Sequence, residues 1–103
     1  MIQTKIVELC DGISVTIRRR KWAEACESTL AHMDALNAIT ESDMSEAQKT
    51  QEILKIDLEY REKPMRLYVE NWEELRPLLS QAAFTQLERE LADFSKSELV
   101  EGN

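Results

Sequence analysis

The stripe Ala47, Gln51, Leu54, Leu58, Arg61, Met65, Tyr68, Trp72, Leu75 and Leu79 restricts what this chain can fold into more than any other feature. Its steps alternate between four and three residues, the spacing of a coiled-coil seam. Pro64 falls inside the run, where it removes one backbone hydrogen bond and crowds the carbonyl of Tyr60, at a cost of about 3 kcal/mol. The seam keeps its phase across that proline, so the spacing predicts one long helix over residues 45–76, kinked at Pro64 or broken there into two. A straight helix from Glu46 to Arg76 would measure about 46 Å at 1.5 Å per residue, against a radius of gyration of about 13 Å for a globule of this size. Either the proline folds the rod back or another chain covers it. A second apolar line, Ile53, Ile56, Tyr60 and Leu67, makes the same demand from a neighbouring face.

Before the helices, residues 3–18 read as a β-hairpin around Cys10-Asp11-Gly12. A two-residue loop would pair Val15 with Glu8 and carry a carboxylate into the apolar face. A three-residue loop pairs Leu9 with Ile13 and Val7 with Val15, with Gly12 taking a positive φ, and is the register expected. Two strands alone are marginal in water, so the hairpin must lie on a helix or pair with another chain.

Residues 22–38 read as a helix whose stripe is Trp22, Cys26, Thr29, Leu30, Met33 and Leu36. His32, the one histidine, falls beside that stripe and reads as a surface or boundary residue. Ser45-Glu46-Ala47-Gln48 has the form of a capping box and starts the long helix. Pro77 is expected to end it by pushing Arg76 away from helical angles. Ser80 caps a last helix over residues 80–94, with Ala83 or Phe84, Leu87, Leu91 and Phe94 as its stripe, and residues 95–103 read as a frayed polar tail. The fold class is therefore mainly α: an N-terminal β-hairpin followed by three to four helices, in one domain.

Composition excludes several functions. With 103 residues, 43% hydrophobic and 32% charged, and two glycines and two prolines, the chain has one core and little left over for a deep catalytic cleft. Residues 1–21 hold five basic and two acidic side chains, a balance of +3, while residues 22–103 hold eight and eighteen, a balance of −10. An acidic body of that kind repels nucleic acid and anionic lipid. No apolar run approaches the ~20 residues of a membrane span, and residues 1–9 lack a secretory core, so a cytoplasmic location is expected. Cys10 and Cys26 have no CxxC partner and read as reduced thiols, Cys26 as a small core residue.

No glycine-rich phosphate loop, zinc spacing or serine elbow occurs, and neither cysteine has a histidine placed to act as its base. No enzymatic activity, metal or cofactor is expected. The surface expected to take a partner is the aromatic and methionine cluster Met65, Tyr68, Trp72 and Leu75, whose alternative role is core. The basic run Arg18-Arg19-Arg20-Lys21 opposes the dipole of the helix that follows it. It is expected to be either a solvated strand end or a self-association patch that meets the acidic body of a sister subunit.

The strand pair Val7 to Arg18, then Trp22-Ala23-Glu24-Ala25, the acidic helical body, and Leu78-Leu79-Ser80-Gln81-Ala82-Ala83-Phe84-Thr85-Gln86-Leu87-Glu88 together resemble the tail assembly chaperones of long-tailed bacteriophages over nearly the whole chain. The resemblance implies an ATP-independent binding protein in the cytoplasm of an infected bacterium. It would coat the helical tape-measure protein until the tail tube subunits polymerise around it, and it would associate with itself as a homo-oligomer. A longer frameshifted product often accompanies that family. Two other readings use the same residues: a small homodimeric helical adaptor or regulatory protein built on the seam, and a nucleic-acid binder that uses residues 18–21.

Overall fold

Strands β1 (Thr4–Glu8) and β2 (Ser14–Arg18) are antiparallel and pair Val7 with Val15 and Lys5 with Ile17. This is the register that keeps Val7, Leu9, Val15 and Ile17 on one buried face. The Leu9 N–H donates to the Ile13 carbonyl at 2.8 Å and the Gly12 N–H to the Leu9 carbonyl at 2.9 Å. Gly12 has φ +84°, so the turn is the three-residue type that the apolar pattern requires.

The computed structural model describes the backbone of residues 3–101 and side chains as far as Lys96. Four helices follow the hairpin: α1 (Trp22–Thr40), α2 (Glu46–Tyr68), α3 (Trp72–Leu75) and α4 (Gln81–Glu101), with a 3-10 turn at Arg76–Leu78. α1 starts at Lys21 with no side-chain cap. The capping box forms at α2, where the Gln48 N–H donates to Ser45 Oγ at 3.2 Å and the Ser45 N–H to Gln48 Oε1 at 3.1 Å. Ser80 caps α4 through the Ala83 N–H, at 3.1 Å.

Three boundaries differ from the sequence expectation. α2 runs through Pro64 and stops at Tyr68, short of Arg76. What stops it is pairing with the sheet: Val69 forms a β-bridge with Ile17, the Glu70 N–H donates to the Thr16 carbonyl at 3.0 Å, and Asn71 turns the chain at φ +57°. Arg76 keeps helical angles (φ −45°, ψ −51°), because Pro77 sits in the first turn of the 3-10 segment, where its missing N–H costs nothing; the extended residue is Leu79. α4 continues to Glu101, so residues 95–101 are helix rather than frayed tail, and residues 102–103 lie outside the described residues.

The chain divides into two compact units. The first comprises the hairpin and the chain from Met65 onward. Its core is Val7, Leu9, Val15, Ile17, Met65, Tyr68, Val69, Trp72, Ala83, Leu87, Leu91 and Phe94, the inner face of the hairpin closed by the end of α2, α3 and α4. The Trp72 and Phe84 rings meet at 6.0 Å between centroids.

The second unit, Lys21–Pro64, is the antiparallel pair formed by α1 and the body of α2. Thr29 Oγ1 lies 3.1 Å from the Tyr60 hydroxyl, His32 Nε2 lies 2.8 Å from Asp57 Oδ1, and Lys49 Nζ donates to the Thr40 carbonyl at 3.2 Å. Ala25, Ser28, His32, Ala35 and Ile39 share one half-buried face of α1, and Ile53, Ile56 and Tyr60 one face of α2. Ser28 is the unit's one fully buried residue.

Candidate functional site

The four residues expected to take a partner are occupied by the chain itself. Met65 and Tyr68, on the last turn of α2, and Trp72, on α3, are buried, Trp72 being only 5% exposed, and Leu75 packs against the same core. The reason lies in the hairpin: its inner face needs an apolar cover, and the segment Met65–Trp72 meets it through the Ile17–Val69 bridge. The structure therefore corrects the expected partner surface to core.

Part of the basic run does its work inside the fold, while Arg18 and Lys21 remain exposed. Arg19 is buried, 7% exposed; its guanidinium lies over the Phe94 ring at 4.1 Å from the centroid and donates to the Phe94 carbonyl. Lys5 Nζ also approaches the Phe94 ring, at 5.9 Å, and pairs with Glu90 at 3.5 Å. Arg18 donates to the Leu67 carbonyl. Arg20 is half-buried, and Lys21 opens α1. A contiguous patch of four cations facing outward is thus not what the run forms, because alternate residues of an extended segment point to opposite faces.

Exposed apolar surface is found elsewhere, on the second unit. The same stripe that is buried at Met65 and Tyr68 is exposed at its earlier members, Ala47, Gln51, Leu54, Leu58 and Arg61, with Leu54 57% and Leu58 62% exposed. On a helical wheel this stripe lies well away from the Ile53–Ile56–Tyr60 face that meets α1. α1 adds Leu30 and Met33, also exposed and turned away from the face that carries His32, and Trp22 at its first turn, 82% exposed. The apolar line drawn for α1 from sequence was thus rotated from its packed face. The signal for the packed face was small residues: Ala25, Ser28 and Ala35 let a neighbouring helix approach, whereas Leu30 and Met33 do not.

His32 is correspondingly more than a boundary residue. It bonds to Asp57 and stacks on Tyr60, with centroids 4.2 Å apart and 22° between planes. Cys10 is exposed and Cys26 half-buried, both as free thiols.

A groove of about 390 Å³ beside α3 is lined by Arg18, Arg66, Glu70, Trp72, Glu73 and Glu74, among others, with no serine, threonine, cysteine or histidine in its wall. Among the described residues no cluster of His, Cys, Asp and Glu is arranged to hold a metal ion, and no helix is long and apolar enough to cross a membrane. Comparison with known proteins returned no matching family model, curated protein or solved structure.

Proposed function

We propose that this protein is a non-enzymatic chaperone for a long helical partner, and that the exposed stripe of the second unit is the surface that holds it. The observation that carries the proposal is the heptad spacing of Ala47, Gln51, Leu54, Leu58 and Arg61 on solvent. Those residues cover about 21 Å of helix, and a partner helix with its own apolar seam fits such a strip by knobs-into-holes packing. Burying a leucine side chain contributes roughly 1.5–3 kcal/mol relative to leaving it in water. Gln51 and Arg61 bracket the two leucines and give the strip polar ends.

The acidic balance of residues 22–103 keeps a complex with an apolar partner in solution. The resemblance to phage tail assembly chaperones gives the proposal its context: a tape-measure protein is a long helix with apolar stripes that must stay soluble in the host cytoplasm until tube subunits surround it. Under this reading the holding surface is Leu54 and Leu58 on α2, in place of Met65, Tyr68, Trp72 and Leu75.

The test is co-expression with a tape-measure-like coiled-coil protein encoded beside this chain. The partner is expected in the soluble fraction with the wild-type chain and in the pellet with the double variant Leu54→Glu/Leu58→Glu. Equal solubility with both chains would refute the surface, and no solubilisation by either would refute the function.

A further inference from the structure

Among the described residues, the outer edge of β1 is left open over Thr4 to Ile6. Leu9 and Arg19 donate to the carbonyls of Ile13 and Gln3, which fixes Gln3, Lys5, Val7 and Leu9 as the β1 residues whose backbone groups face β2. Thr4, Ile6 and Glu8 therefore aim their N–H and C=O groups away from the hairpin.

Two other stretches of edge are covered. On β2 the outward Thr16 carbonyl accepts from Glu70 and Ile17 bridges Val69. At the end of β1 the Gln86 side chain stands in for a neighbouring strand: its Oε1 accepts from the Cys10 N–H at 2.7 Å and its Nε2 donates to the Glu8 carbonyl at 3.3 Å. Between Thr4 and Ile6 nothing among the described residues takes that place. Ile6, at the middle of the strand, is 73% exposed. Folded proteins ordinarily guard such an edge with a charge, a proline or a bulge, and an open apolar one invites another strand.

We infer that β1 pairs with β1 of a second copy of this chain, antiparallel about a two-fold axis at Ile6. Five registers can be drawn. Centring the axis on Lys5 sets two lysines directly opposite each other, and centring it on Val7 draws both Glu8 and Cys10, whose outward groups Gln86 already holds, into the pairing. Centring on Glu8 sets two carboxylates opposite each other beside Gln86, and centring on Thr4 leaves Ile6 overhanging toward the partner's chain end. Centring on Ile6 sets Ile6 opposite Ile6 of the second copy, Thr4 opposite Glu8 and Lys5 opposite Val7, with no like charges in contact. The Glu8 carbonyl keeps a lone pair for the second strand while Gln86 holds the first. The product is a four-stranded sheet in the order β2, β1, β1, β2, closed by its own symmetry. This contact is independent of the helical stripe proposed above to hold a partner.

The test uses the full chain in sedimentation equilibrium. The wild type is expected to dimerise with rising concentration. Ile6→Lys is expected to weaken the dimer about tenfold or more while the circular dichroism spectrum stays unchanged. Ile6→Pro is the second variant: the N–H it removes faces outward, so the bonds between β1 and β2 survive and only the pairing between copies is lost. In a Cys10→Ser/Cys26→Ser background, Ile6→Cys is expected to form an intermolecular disulfide faster than Thr4→Cys, since only residue 6 meets itself across the axis. A monomer at all concentrations would overturn the inference, as would a dimer unaffected by Ile6→Lys or equal rates of cross-linking at positions 4 and 6. A dimer abolished by Leu54→Glu/Leu58→Glu but not by Ile6→Lys would move self-association to the helical stripe and overturn it too.

Discussion

The imidazole Nε2 of His32 on α1 lies 2.8 Å from Oδ1 of Asp57 on α2. The same ring stacks on Tyr60, whose hydroxyl reaches back to Thr29 on α1. Four side chains thus clasp two helices that bury only Ser28 completely between them. Apolar packing alone tolerates sliding and rotation of one helix on another; a stacked ring with two directed hydrogen bonds selects one register. The exposed stripe of α2 faces away from α1 because this clasp turns the Tyr60 side inward.

His32→Ala is expected to destabilise the second unit by about 1–2 kcal/mol, through loss of the aromatic stack and one hydrogen bond. Amide hydrogen exchange along Trp22–Thr40 should speed up while that of α4 stays unchanged. Equal protection of α1 in the variant and the wild type would show that the clasp contributes nothing.

Trp72→Ala should unfold or nearly unfold the first unit, since truncating a buried tryptophan costs about 3–5 kcal/mol and a domain of this size has about 5–15 kcal/mol in all. Chemical denaturation followed by near-ultraviolet circular dichroism reads the loss. A variant with wild-type stability would return Trp72 to the surface.

Arg19→Ala removes a buried cation from the Phe94 ring and the hydrogen bond that the guanidinium donates to the Phe94 carbonyl, so a loss of about 2 kcal/mol is expected. The midpoint of urea unfolding should fall, with the sedimentation behaviour of the remaining folded chain unchanged. A change in association without a change in stability would restore the basic run as a contact patch.

Pro64→Ala should stabilise the chain, by up to about 3 kcal/mol, because α2 already runs helically through that position and an alanine N–H can bond the Tyr60 carbonyl. A lower urea midpoint in the variant would mean that the proline ring makes contacts worth more than the missing bond.

The register and turn of the hairpin were legible, because its period of two leaves one register in which Val7, Leu9, Val15 and Ile17 share a face, and Gly12 marks the turn. The capping box at Ser45 and the cap at Ser80 were legible for a related reason: both are local chemistry that needs no knowledge of the rest of the fold. The end of α2 was not. Asn71 tolerates the left-handed conformation that ends a helix but does not demand it, and it is the distant Ile17 that draws Val69 into a bridge. Nor could spacing say which half of one continuous stripe is covered. Met65 and Tyr68 carry the same heptad signal as Leu54 and Leu58, and only the hairpin's need for a lid separates core from surface. The stripe is a sign of excess apolar helix; its exposed leucines lie earlier in α2 than the aromatic residues suggest.

Hydroxyl-radical labelling of the chain, free and in complex with the co-expressed coiled-coil protein, tests the central claim most directly, because one methionine and one tryptophan lie on each side of it. In the free chain Met33 and Trp22 should be oxidised rapidly and Met65 and Trp72 protected; on addition of the partner, labelling at Leu54 and Leu58 should fall. Protection of Leu54 and Leu58 in the free chain, or labelling there that the partner leaves unchanged, would contradict the account.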